Sequence, residues 1–150
     1  MNDVSMIDKA ENLSRRRARM LPVIAVIYLA QQATFLSGET VEPLRSVDHV
    51  KIGAWLLLSF VILLAVSTNG FWFKSRELRA LIDDENTRAN RARGMSAGFV
   101  AAMLGGMLLY ALQPVVQFSV REVIHLILSL GLGVALIRYG TLERRALRDA

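Results

Sequence analysis

The stretch MSAGFVAAMLGGMLLYALQPVV, residues 95–116, runs for 22 positions without Asp, Glu, Lys, Arg or His. As an α-helix it would extend about 33 Å at roughly 1.5 Å per residue, enough to cross a hydrocarbon core of about 30 Å. Three more runs are predominantly apolar, at residues 20–36, 50–68 and 120–139, the first barely long enough. The chain therefore reads as an all-α polytopic membrane protein, a single domain over 1–150 with four transmembrane helices.

Orientation follows from the cations. The N-terminal tail holds Lys9, Arg15, Arg16, Arg17 and Arg19, the middle connection Lys74, Arg76, Arg79, Arg88, Arg91 and Arg93, and the C-terminal end Arg138, Arg144, Arg145 and Arg148. These are fifteen of the eighteen Lys and Arg residues; Arg45, Lys51 and Arg121 belong to the other two connections. The positive-inside rule then sets both termini and the middle loop in the cytoplasm, which requires an even number of spans. A signal peptide would also set basic residues ahead of the first run, but Gln31, Gln32 and Thr34 do not form a small-residue cleavage site.

Hydrophobic residues make up 53% of the chain and the net charge is +5, with the charges outside the apolar runs or within the last few residues of their ends. That surplus suits attraction to anionic headgroups, about 1 kcal/mol per Lys or Arg near the surface, and direct nucleic-acid binding is not expected. The absence of Cys excludes disulfides, thiolate metal sites and cysteine catalysis. No cofactor or metal is expected, and no enzyme: Gly105-Gly106 and Gly131-Leu132-Gly133 lie inside spans rather than in a phosphate-binding loop, and Ser59, Ser67 and Ser129 have no His and acid at matching depth.

Two halves of the chain look alike. Arg76-Glu77-Leu78-Arg79-Ala80-Leu81-Ile82-Asp83 after the second run matches Leu142-Glu143-Arg144-Arg145-Ala146-Leu147-Arg148-Asp149 after the fourth, and Arg17-Ala18-Arg19-Met20 matches Arg91-Ala92-Arg93-Gly94-Met95. A duplicated helical hairpin explains both matches; so does compositional convergence of basic, Ala/Leu-rich helix ends. The Pro-free segment 71–93 predicts a cytoplasmic helical hairpin, with the second helix bending at Asn69-Gly70 and anchored by Trp72.

Small residues recur every four positions at Gly98, Ala102 and Gly106 and again at Ser129 and Gly133. This spacing lets backbones approach and predicts the closest pairing between the third and fourth spans, within one chain or across a homo-oligomer. Polar residues gather toward the outer end: Gln31, Gln32, His49, Gln113, Gln117, Glu122 and His125. Intramembrane ionisable groups are functional candidates, so this outer cluster could hold a proton or small ligand; bridging between helices is the structural alternative.

At the cytoplasmic end Asp83, Asp84 and Glu85 stand together with Arg88 and Arg91 nearby, a candidate surface for a protein partner or a helix N-terminal cap. The stretch Asp83-Asp84-Glu85-Asn86-Thr87-Arg88, followed by basic residues and a Gly/Ala-rich span, resembles a loose group of small four-helix bacterial membrane proteins of unassigned function, often encoded beside helix-turn-helix transcription regulators. The resemblance covers mainly 76–100. It implies a multi-pass bacterial inner-membrane protein that holds a regulator at the membrane or serves as a small subunit of a membrane assembly. The alternative is a small homodimeric transporter or ligand or proton sensor built on the outer polar cluster.

Overall fold

The computed structural model describes residues 2–36, 46–68 and 85–149. They form four helices: α1 (Asn2–Leu36), α2 (Ser46–Thr68), α3 (Glu85–Leu112) and α4 (Val120–Arg148). Among the described residues α2, α3 and α4 are long and apolar enough to cross a membrane. Most of the apolar side chains of α3 are exposed, Phe99, Leu104 and Met107 each by more than 60%. Contiguous apolar surface of that extent is rare on water-soluble monomers, and its ordinary solvent is lipid.

Helix α4 is the hub. It packs against α1, α2 and α3, most extensively against α3 and then α1. On the α3 side the approach is backbone to backbone. A Cβ on Gly98 would stand 2.5 Å from the Gly131 carbonyl oxygen and 2.7 Å from the Ala135 Cβ; one on Gly94 would stand 2.8 Å from the Tyr139 Cβ. Gly131 in turn faces Ala102. The seam thus steps up α3 as it steps down α4, which is the antiparallel packing a short connection imposes.

The fourth helix divides its small residues between two neighbours. Gly133 meets Leu29 of α1, 2.8 Å from a hypothetical Cβ, so it belongs to the α1 seam and not to the α3 seam that its spacing suggested. Gly106 is less crowded, 3.4 Å from the Ile127 side chain, and Ser129 is buried. A period of four identifies a face of one helix but not the helix it meets.

Along the α1 seam, Pro22 lies inside the helix. Its ring has no N–H, so the Ala18 carbonyl one turn earlier loses its helical donor. Arg144 Nε supplies the missing bond to Ala18 O at 3.0 Å, and Gly140 leaves room for the Pro22 ring, whose Cδ would be 2.8 Å from any Cβ there. A small core of Ala25, Tyr28, Ile62, Val66 and Leu136 joins α1, α2 and α4.

Two boundaries differ from expectation. The third apolar run does not remain helical to residue 116; α3 ends at Leu112, and Val115 and Val116 both donate to the Leu112 carbonyl at 2.9 Å. Pro114 disfavours helical backbone at Gln113, so the chain turns there. Residues 85–93 are the first turns of α3 itself, continuous with the span. The rest of the expected cytoplasmic hairpin, the Asn69-Gly70 bend, Trp72 and the first copy of the repeat fall outside the described residues. The extension of α4 to Arg148 carries the helix past the apolar run.

Gly98→Ala should therefore lower stability by about 1–3 kcal/mol, the usual cost of overpacking. Gly53→Ala, with nothing within 4 Å of its Cβ, should be neutral or slightly stabilising. Unfolding of both variants in detergent checks this, and equal midpoints would remove the close α3–α4 seam from the account.

Candidate functional site

A buried polar network joins three helices at the Arg-rich end. Arg17 of α1 donates from its guanidinium to the Glu143 carboxylate of α4 and to Thr87 Oγ1 of α3 at 3.3 Å. Asn90, one turn along α3 from Thr87, donates through Nδ2 to the other Glu143 oxygen at 3.1 Å. The Arg17 carbon sits 5.8 Å from the centre of the Tyr139 ring, a cation–π distance. Thr87, Asn90, Tyr139 and Glu143 are all buried. The spacings are helical: positions 87 and 90 share one face of α3, and 139 and 143 share one face of α4.

Sequence reasoning missed this network. Its signal is the stripe Leu136, Tyr139, Gly140, Glu143, Leu147, which extends the buried face of α4 beyond the apolar run. A lone acid on such a stripe needs a cation from another helix, because leaving a buried charge unopposed is costly.

The residues proposed for partner binding lie around the same end. Glu85 and Arg88 are exposed at the start of α3 and Arg91 is half-buried. Asp83 and Asp84 lie outside the described residues, so the structure does not place the acidic cluster as a whole.

The described outer polar residues stand in different environments. Gln31, Gln113 and Gln117 are exposed, and the side chain of His49 lies outside the described residues. Glu122 caps its own helix. Its carboxylate accepts from the Ser119 backbone N–H at 2.6 Å while Ser119 Oγ accepts from the Glu122 N–H at 3.2 Å. This capping box follows from Ser119-Val120-Arg121-Glu122 ahead of an apolar run, a legible signal that gives Glu122 a structural partner.

What remains is a smaller buried set between α1, α2 and α4. His125 stacks on Trp55 with ring centres 4.3 Å apart. One turn farther along α2, Ser59 shares a 3.0 Å hydrogen bond with Tyr28 of α1. Gln32 follows Tyr28 by one turn and Ser129 follows His125 by one turn. The Gln32 amide oxygen and nitrogen, Trp55 Nε1 and Ser129 Oγ are buried with no hydrogen-bond partner among the described residues. Buried polar atoms usually find partners, so these groups carry unused hydrogen-bonding capacity.

Chemically the two sites differ. The Arg17 network holds helices in register and exposes little of itself; the Gln32–Trp55–His125–Ser129 locus retains polar capacity. Glu143→Gln should cost about 3–5 kcal/mol by removing the buried carboxylate that pairs with Arg17, and the double variant Arg17→Met/Glu143→Leu should recover much of that loss. Denaturation of the parent, Glu143→Gln and the double variant in detergent gives the answer, and a double variant no more stable than Glu143→Gln would show that Arg17 and Glu143 do not act as a pair. Comparison with protein-family models, with curated proteins and with solved structures finds no match, so the functional reading rests on the residues of this chain.

Proposed function

We propose that this chain is a non-enzymatic bacterial inner-membrane protein, four-span with both ends cytoplasmic, which presents the cytoplasmic ends of its helices to a protein partner. In this reading α1 supplies the fourth span through residues 20–36, and the cation distribution sets the orientation. The partner is a small basic cytoplasmic protein, in keeping with a tether or inhibitor of a transcription regulator or with a subunit contact in a membrane assembly. The observation that carries the reading is the buried Arg17–Glu143–Asn90–Thr87 network. It fixes α1, α3 and α4 to one another at the end where Glu85 and Arg88 are exposed, and a docking surface is more selective when its supporting elements are rigid.

A second reading is a small transporter or ligand or proton sensor, acting as a homodimer. Its support is the buried polar capacity at Gln32, Trp55 and Ser129 beside the stacked His125. Intramembrane polar groups are costly enough to suggest use.

A photoreactive residue at Asn86 should give a discrete adduct with a soluble protein in cells. Neutralising Asp83, Asp84 and Glu85 to Asn, Asn and Gln should abolish it. An absent adduct, or the same adduct with the neutralised chain, sinks the partner reading. Topology is checked in parallel with an impermeant thiol reagent: Glu42→Cys should label from outside, whereas Asn12→Cys and Asn86→Cys should not.

A further inference from the structure

At the Arg-rich end, α1 and α4 border an open groove lined by Arg15, Ala18, Arg19, Arg144, Leu147 and Arg148. From these side chains we infer that the groove is a binding site for an anionic phospholipid, with the guanidinium groups holding its phosphodiester. The inference rests on α1 being a membrane span.

Among the described residues, the four guanidinium groups of this groove form ion pairs with two carboxylates. Glu11 pairs with Arg15, and Asp149 is 4.0 Å from Arg148 Nε. Both acids are largely exposed and sit at the rim, where water screens them. Arg144 is held in place by its bonds to the Ala18 and Arg19 carbonyls, at 3.0 and 3.3 Å. Those bonds employ Nε and one terminal nitrogen, and a guanidinium has five N–H donors, so Arg144 is both fixed and still able to donate. Planar, pre-positioned guanidinium groups suit phosphate oxygens better than flexible ammonium groups do.

Depth selects a lipid over a free anion. Arg15 and Arg19 precede the first residue of the apolar run, Met20, by five residues and by one. At about 1.5 Å per residue they stand within about 8 Å of the hydrocarbon edge, and the headgroup layer adds about 6 Å on each side. The cations therefore lie at phosphate depth. One turn below Arg19 is Val23, 54% exposed, and two turns from Arg144 on the membrane side is Ile137, 40% exposed. These give acyl chains an apolar wall directly beneath the charged rim. A soluble phosphate would have no use for it.

The test is native mass spectrometry of the full chain in detergent, titrated separately with diphosphatidylglycerol and with phosphatidylcholine of the same chain length. The parent should prefer the anionic lipid strongly. Arg15→Gln/Arg19→Gln/Arg148→Gln, which spares the structural Arg144, should weaken that binding about a hundredfold, as expected from three lost cations at the surface. Arg16→Gln/Arg93→Gln/Arg145→Gln removes the same charge from exposed positions that do not line the groove and should weaken the binding at least about tenfold less than the groove triple does, because direct contact with the phosphodiester rather than net charge sets the preference. Equal losses in both triple variants, no preference in the parent, or displacement of the lipid by millimolar inorganic phosphate would each overturn the proposal. Thiol labelling of Asn12→Cys and Glu42→Cys separates the two possible failures: labelling from opposite sides with no lipid preference refutes the groove alone, whereas labelling from the same side refutes the span on which it rests.

Discussion

The carboxylate of Glu143 is the constraint around which the bundle is arranged. One side chain on α4 accepts from Arg17 of α1 and from Asn90 of α3, so three helices must converge at one height. A buried ion pair is a weak source of net stability, because desolvation offsets most of the attraction. Its force lies in what it forbids. A slip that brought Ala18 to the place of Arg17 would leave the buried Glu143 carboxylate without its guanidinium, at a cost of several kcal/mol. Dispersion and close backbone approach hold helices together in lipid but discriminate poorly among registers, and the ion pair supplies that discrimination.

The next residue complements this on the other side. Arg144 serves the Ala18 carbonyl that Pro22 leaves without a donor, and Gly140 one turn earlier admits the proline ring. Pro22, Gly140 and Arg144 therefore form one device, in which the break in the hydrogen bonding of α1 is filled from α4. The same geometry places Arg144 in one groove with Arg15, Arg19 and Arg148, concentrating positive charge between α1 and α4. Rigid packing inside and a charged rim outside thus come from adjacent positions on one helix, and the partner-docking and lipid-groove proposals draw on that arrangement.

The helical class and the apolar, span-length character of α2, α3 and α4 were legible because hydrophobicity over about twenty residues is a property of local sequence. The small residues of α3 were legible as a face. That Gly131 and Ala135 meet α3 while Gly133 meets α1 was not, since spacing within a helix does not name its neighbours. Glu122 looked like a membrane-embedded acid, yet Ser119 three residues earlier makes it a cap; local chemistry outweighs depth there. Glu143 was hidden for the opposite reason. Surrounded by Arg144, Arg145 and Arg148 it read as part of a solvated basic tail, and only the tertiary meeting of Arg17, Thr87 and Asn90 shows its burial. The Gln32–Trp55–His125 locus draws one residue from each of three helices, a juxtaposition that periodicity alone could not supply.

The claim that Glu143 ties the helix ends together is open to a direct distance measurement. The chain has no Cys, so spin labels at Arg16→Cys and Arg93→Cys would report on the ends of α1 and α3 without removing any native thiol. Double electron–electron resonance in lipid should give one narrow distance distribution in the otherwise native chain and a clearly broadened one when Glu143→Gln is added. A distribution of unchanged width with Glu143→Gln would contradict the account, because the helix ends would then be held by something other than this carboxylate.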